Sequence, residues 1–398
     1  MNKNAPLAGL RVVDLTRILA GPYLTQMLAS LGADVVKIEP PGGDPTRNQG
    51  SPDVSGVSYY FCGTNGGKRS VVLDLKNPDA QLLAVEIIKN ADVIVENFRP
   101  GIMDKLGLSL ERLNVANPNL IVLSISGTGS GADHDQPSFD LCTQARGGSL
   151  SLNGEPGRLP VRLAIPMGDL AGSFYGAIAI LACLFQRERR RNGNNANVNN
   201  TKTPDGAGEF HALDLSLLDA QVALLGNWVP FAMLQNRAPA AVGGAHTSAA
   251  PYDVYEASDS PFAVAVFTEK FWLPFLRAVD LLTIQNDARF VNSDKRVAHR
   301  SELDAILRPH FKKRARAEWL TKLRAADVPA EPVANVLEAA NDPAFRARGM
   351  MQQLELGGSA FPQVAFPVRH NDNVYFPGHP PLEIGKDTET VLSDWRSR

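Results

Sequence analysis

Short β-branched apolar runs recur through the first third of the chain with helical patterning between them. That alternation constrains the fold more than any other feature. Leu10–Leu15 (LRVVDL) reads as a buried strand, Gly21-Pro22 opens a helix running to about Ser30, and Asp34–Ile38 is a second strand. Further strands are predicted at Ser70–Leu75, Asp92–Glu96 and Leu120–Ile125, with a helix starting near Pro78 and another before Leu120. Continuous apolar runs mark strands covered on both faces, and strands that alternate with helices build a parallel sheet under helical layers.

The pattern then changes. Asp169–Arg191 is one long helix, apolar first and ending in RERRR, a basic close that suits a helix C-terminus or a solvated helix end. Asn192–Glu209 is polar, Asn-rich and aperiodic, which predicts a surface loop. Helical pattern resumes over Leu213–Leu234. From about Thr247, AAPYDVYEA and PFAVAVF read as strands joined by SDSP, and helices follow at Glu269–Val279, Ser301–Phe311 and Ala317–Ala325. After Val328-Pro329 come a short helix, a β-like patch, a Pro-rich stretch and a last helix over Asp387–Trp395. The length of 398 residues suits two domains: a large α/β domain over 1–215, a linker helix over 216–244, a small α+β domain over 245–330, and a return segment over 331–398 that completes the first.

Several function classes are disfavoured at once. Lys+Arg 40 against Asp+Glu 42 leaves no electrostatic footprint for nucleic acid or an anionic membrane. Three scattered cysteines without a CxxC argue against a disulfide framework or a zinc site and favour a reducing compartment. The first residues lack a secretory pattern, and the longest uncharged apolar run, Leu170–Phe185, is short of the ~18–20 residues of a membrane span. Cytoplasm is the expected location. A dinucleotide site is expected to be absent: LRVVDL is followed by TRILAGPY, with one glycine where GxGxxG is needed, although Glu39 ends the second strand where a ribose-binding acid would stand. The histidines show no metal-ligand spacing, so no metal and no tightly bound cofactor is expected.

Two features carry chemistry, each with a bland alternative. Arg47, Lys68, Arg69, Lys76, Arg99 and Lys105 cluster at turns, where they are either phosphate donors or ordinary surface charge. Asp169 opens the long apolar helix, where it is either an N-cap or a partly desolvated nucleophile.

Taken together, LRVVDLTRILAGPYLTQMLASLGADVVKIEPPGGDPTR, GKRSVVLDLK, VENFRPGIMDKLG, FDLCTQARGG, PMGDLAGSFYGAIAILACL, DLSLLDAQVALLGNW, HTSAAPY and DPAFRARGMM resemble the family III CoA-transferases, in family order over nearly the whole chain. The resemblance implies a Rossmann-like large domain, a small domain and an interlocked homodimer. It implies transfer of CoA from an acyl-CoA to a small carboxylic acid, with coenzyme A as a substrate. Asp169 matches the family's nucleophile, and Ile18, Leu73, Lys76, Asn97, Phe98 and Lys105 match its CoA contacts. Arg17, Phe139, Asp140 and His246 fall on the substrate side; Arg17 would meet a second carboxylate of the substrate or position CoA. Two rival readings share the fold. An α-methylacyl-CoA racemase pairs the matching Asp with a His, where this chain has Phe139, which cannot carry a proton. The other is a CoA-binding protein with an idle site.

Overall fold

In the computed structural model, which describes residues 5–50, 53–131, 136–191 and 208–396, six parallel strands form one sheet. They are β1 (Arg11–Asp14), β2 (Asp34–Glu39), β3 (Lys68–Val72), β4 (Val93–Glu96), β5 (Ile121–Ser126) and β6 (His211–Ser216), in the order β3-β2-β1-β4-β5-β6. Successive side chains point to opposite faces, and the inner strands are buried on both, which is why their sequences are mostly apolar. Val13, Val36, Val71, Ile94 and Val122 meet the helix Pro78–Ile88 and the C-terminal helix Thr388–Arg396. Val12, Val35, Val93, Ile121 and Leu123 meet α1 (Ala20–Ser30) and the long helix Met167–Arg191. Strand order reverses between β1 and β4, and in open α/β sheets the crevice beyond such a switch point is where ligands bind.

One expectation is corrected. Leu213–Leu234 is not a continuous helix: β6 ends at Ser216, whose hydroxyl accepts from Asp219 N–H and caps Leu217–Leu224, and a second short helix follows at Trp228–Gln235. β6 is an edge strand, half exposed along alternate residues, so its text lacks the apolar continuity of the inner strands. The helix Met167–Arg191 is also longer than its apolar run: by length and composition 24 of its residues suffice to cross a membrane, and a third of the most apolar stretch is buried against the chain. The Asn-rich stretch 192–207 lies outside the described residues.

The described chain divides into two compact units. The first comprises Met1–Leu150, Arg162–Arg237 and Arg346–Arg398 and contains the parallel sheet. It also holds the hairpin Met351–Leu356/Ser359–Val364, whose Gly357-Gly358 turn takes positive φ at both residues, as a two-residue hairpin turn requires. The second comprises Ser151–Val161 and Ala238–Phe345: a three-stranded antiparallel sheet and helices around Phe262, Phe275, Phe311 and Trp319, with Phe311 edge-on to Phe262 and Trp319.

Candidate active site

At the switch point a cleft of about 760 Å³ opens beyond the carboxyl ends of β1, β4 and β5. The loop after β1 contributes Arg17, Ile18 and Leu19, and the loop after β4 contributes Asn97, Phe98 and Arg99. These two loops are tied together. Asn97 Oδ1 accepts from the Arg17 N–H and its Nδ2 donates to the Arg17 carbonyl, both at 2.8 Å, while the Arg17 guanidinium lies 5.0 Å over the Phe98 ring. Ile18 is held at φ +68°, a left-handed conformation that costs a β-branched residue about 1–2 kcal/mol and that concentrates at functional sites. Gly21 is required behind this loop, because a Cβ there would lie 2.2 Å from the Thr16 side chain.

The turn-borne cations now sort into two groups. Arg17, Lys76, Arg99 and Lys105 line the cleft. Arg47 and Lys68 are buried in ion pairs with Glu39 and Asp14, and Arg69 pairs with Asp34 and Asp394. Glu39 is consumed by Arg47 and the Ser70 hydroxyl, so it faces no ribose position. Leu73 is a core residue between Val71 and Leu75 and is not part of the cleft lining.

Asp169 and Phe139 stand in the wall of the same cleft, with Phe139 two-thirds exposed. Asp169 is the third residue of its helix rather than the cap. The capping contact comes from another element. Asp140, at the start of the helix Asp140–Arg146, accepts from the Gly168 N–H at 3.0 Å through Oδ1 and from Gln144 Nε2 at 2.6 Å through Oδ2, with Arg162 3.8 Å away. Gly168 leaves room for this, since a Cβ there would lie 2.5 Å from Thr143 Oγ1 and 3.1 Å from Asp140 Oδ1. The Ser173 hydroxyl lies 2.6 Å from the Ala20 carbonyl and 3.0 Å from that of Asp169, pinning the first turn of this helix to the start of α1. The Asp169 carboxylate is thus left free of capping duty. Burial and the neighbouring Asp140 carboxylate push its acid dissociation up to about 7. Tyr60, which sequence patterning does not single out, feels the same carboxylate: burial and then Asp169 push its phenol up to about 12. His246 belongs to the second unit, where its ring lies against Tyr252 and Phe267.

A carboxylate nucleophile candidate in a cation-lined cleft at a switch point narrows the chemistry, and comparison with known proteins names the family. The model of "CoA-transferase family III" matches residues 7–388. The chain belongs to CoA-transferase family III. This family III chain is 33% identical over 402 residues to the succinate–glutarate CoA-transferase of Agrobacterium fabrum, covering 99% of this chain and 96% of that one. It is 35% identical over 382 residues to the acetyl-CoA:oxalate CoA-transferase of Acetobacter aceti, covering 95% and 93%. Among solved structures, a CAIB/BAIF family protein from Brucella suis matches with a TM-score of 0.85 and 33% identity over 98% of this chain and 100% of that one. The family III chain is therefore an enzyme of CoA transfer between acyl-CoA and carboxylate.

Proposed function

We propose that Asp169 is the nucleophile of CoA transfer in this enzyme, and that the cleft holds the acyl-CoA. The observation that carries the reading is the Asp169 carboxylate standing uncapped in the wall of a cleft lined by Arg17, Lys76, Arg99 and Lys105. Those four cations suit the diphosphate and 3′-phosphate of coenzyme A, which need charge-assisted donors. Asn97, Phe98 and Ile18 offer the polar and apolar contacts for the arm that follows. An Asp169 oxygen attacks the thioester carbonyl, the C–S bond breaks, and CoA leaves as thiolate from a mixed anhydride. The thiolate attacks the aspartyl carbonyl, releasing the donor acid and leaving an aspartyl–CoA thioester. An acceptor carboxylate then attacks that thioester to form a second anhydride, and the returning thiolate takes the acceptor acyl group, freeing Asp169. Every intermediate stays activated, so the thioester free energy is kept, provided water is excluded from the anhydride.

The acceptor we assign is a dicarboxylic acid. Both relatives named above carry dicarboxylates in their names. Arg17, with no carboxylate pairing to it among the described residues, is the group suited to the second charge. The test incubates the enzyme with succinyl-CoA or acetyl-CoA and a panel of mono- and dicarboxylic acids in deuterated water, with acyl-CoA products read by mass. Dicarboxylyl-CoA products without solvent deuterium at the α-carbon are expected, because the lining of the cleft has no histidine among the described residues to act as a second base. Deuterium exchange at the rate of turnover would transfer the assignment to an isomerase.

We assign the outer face of Met167–Arg191 to a second copy of the chain rather than to lipid, in the interlocked homodimer that the family resemblance implies, working in the cytoplasm. Phe174, Ile178 and Phe185 recur at helical spacing and are exposed along that helix, as is Tyr175. Contiguous apolar surface of this kind marks an interface. Sedimentation is expected to find a dimer even at nanomolar concentration, since linked rings part only by unfolding. A monomer under those conditions excludes interlocking.

A further inference from the structure

A second cavity, of about 280 Å³, adjoins the cleft and is lined by Glu96 of β4, Ser124 and Ser126 of β5 and Asp214 of β6. Phe98, Arg99, Pro100 and Ser126 line both spaces. Its inner wall holds Glu96, a carboxylate 5% exposed that takes no part in the acyl-transfer steps above. Glu96 Oε2 accepts from the Phe98 N–H at 2.7 Å. Ser124 of β5 lines the same cavity. The ionisable groups around the same cavity are Asp214 on β6, which accepts from Ser130 N–H and Oγ, and Asp104 and Arg99 at its rim.

The hydrogen bonds make a chain. Glu96 holds the Phe98 N–H, which fixes the turn carrying Asn97 and Phe98; Asn97 then brackets the Arg17 backbone on both sides. Arg17 precedes Ile18, whose positive φ needs such external support. One carboxylate therefore stands at the root of both switch-point loops.

We infer that Glu96 is a positioning residue for coenzyme binding: it holds the Asn97–Phe98 turn, and through Asn97 the Arg17–Ile18 loop, in the shape that receives coenzyme A. The inference rests on the reading of the cleft as the acyl-CoA site. It has a pH signature. Burial and the Asp214 carboxylate raise Glu96 to about 7, against the opposing effect of Ser124 and the Phe98 N–H. A charged acceptor holds an N–H about twice as strongly as a neutral one. Protonation below about pH 7 therefore loosens the turn, and coenzyme affinity falls as the pH falls.

The test titrates free coenzyme A into the intact enzyme by calorimetry, for the wild type, Glu96→Gln and Glu96→Ala, at pH about 8 and about 6. Glutamine keeps an acceptor oxygen for the Phe98 N–H without the titration; alanine removes the acceptor. At the higher pH, Glu96→Ala is expected to weaken binding about tenfold and Glu96→Gln no more than about threefold, as loss of a charge-assisted bond and of its charge alone imply. On going to the lower pH, the wild type loses severalfold more affinity than Glu96→Gln. The ligand's own ionisation is common to both proteins and cancels in that ratio. In turnover, the Glu96→Ala loss falls on KM for acyl-CoA, with kcat at saturation within about threefold. Alanine binding within about twofold of wild type, a flat pH ratio, or kcat falling as far as kcat/KM would each overturn the role of Glu96. Should Glu96→Ala fail to fold, the pH ratio of wild type to Glu96→Gln decides alone. No binding of coenzyme A by the wild type would overturn the reading of the cleft instead.

Discussion

Asp169→Ala is expected to abolish CoA transfer, by four or more powers of ten (roughly what loss of a covalent nucleophile costs), while coenzyme A still binds. The expectation follows from what surrounds the residue. Asp140, not Asp169, contacts the helix N-terminus through the Gly168 N–H, so truncating Asp169 leaves the cap in place. Were Asp169 a cap, its loss would instead cost about 0.5–2 kcal/mol of stability with activity kept. The two outcomes are opposite in a further respect. Because burial and Asp140 raise the Asp169 acid dissociation in the folded chain, its ionised form opposes folding above its unfolded value near 3.8. The stability associated with its protonated form is present at low pH and lost as pH rises through about 7. Asp169→Asn should therefore raise the unfolding midpoint at pH about 8 and leave it nearly unchanged in acid. Activity runs the other way, since attack needs the carboxylate: kcat/KM in the wild type should fall about tenfold per pH unit below about 7. Asp140→Asn should move that acid limb downward by removing the neighbouring charge. With acyl-CoA present, hydroxylamine should convert Asp169 to a hydroxamate readable by peptide mass. A variant lacking the carboxylate that kept a tenth of wild-type transfer, with no hydroxamate at Asp169, would end the nucleophile assignment.

How far the fold could be read from the chain depended on how each strand is covered. LRVVDL, DVVKIE and DVIVE lie inside the sheet, where two-sided burial favours apolar residues and admits Asp14, Lys37, Glu39 and Glu96 only as buried, partnered groups. HALDLS lies at the edge, where alternate residues are exposed and Asp214 is free to sit in a strand, so its pattern merges with the helix that follows. The site divides in the same way. Asp169 is marked by its place before an apolar helix. Its release from capping depends on Asp140, which lies 28 residues before Gly168 and meets it only once the helices pack. The turn-borne cations look alike in the text, yet Arg47 stacks on Phe61 and pairs with Glu39 in the interior while Arg99 and Lys105 line the cleft. For Glu96 a signal was available: an acid ending a strand otherwise made of Val and Ile is either a strand terminus in water or a buried group with partners. For Tyr60 there was none, because its relation to Asp169 is wholly tertiary.

The largest stability effect is expected under the cleft, at Asp14. Its carboxylate is fully buried and accepts from Thr16 N–H at 2.8 Å, Thr16 Oγ1 at 2.5 Å, Thr25 Oγ1 at 2.8 Å and Lys68 Nζ at 2.9 Å. Lys68 in turn donates to Asp14, the Pro22 carbonyl and Asn65 Oδ1, which uses all three of its protons. Lys68, Lys37 and the Thr16 hydroxyl hold Asp14 well below the usual carboxylate range in spite of its burial. Its stabilising contribution is therefore present above the unfolded value and lost only in strong acid. Asp14→Ala leaves the Lys68 ammonium buried without its counter-charge, at a cost of about 3–5 kcal/mol. That is a large share of the ~5–15 kcal/mol that holds a typical domain together. Asp14→Leu with Lys68→Met removes both charges, and such replacements are commonly neutral or stabilising, so the double variant should regain most of the denaturation midpoint. Function should not return with it. Asp14 also fixes Thr16, whose carbonyl accepts from Lys37, and Thr16 leads directly into Arg17 and Ile18 in the cleft wall. The folded double variant should therefore show KM for acyl-CoA raised about tenfold, as expected when a turn loses a charge-assisted bond. Denaturation midpoints and KM measured on the two variants separate the roles: a stable Asp14→Ala chain removes the stability argument, and a double variant with wild-type KM shows that the buried pair supports the sheet without shaping the cleft.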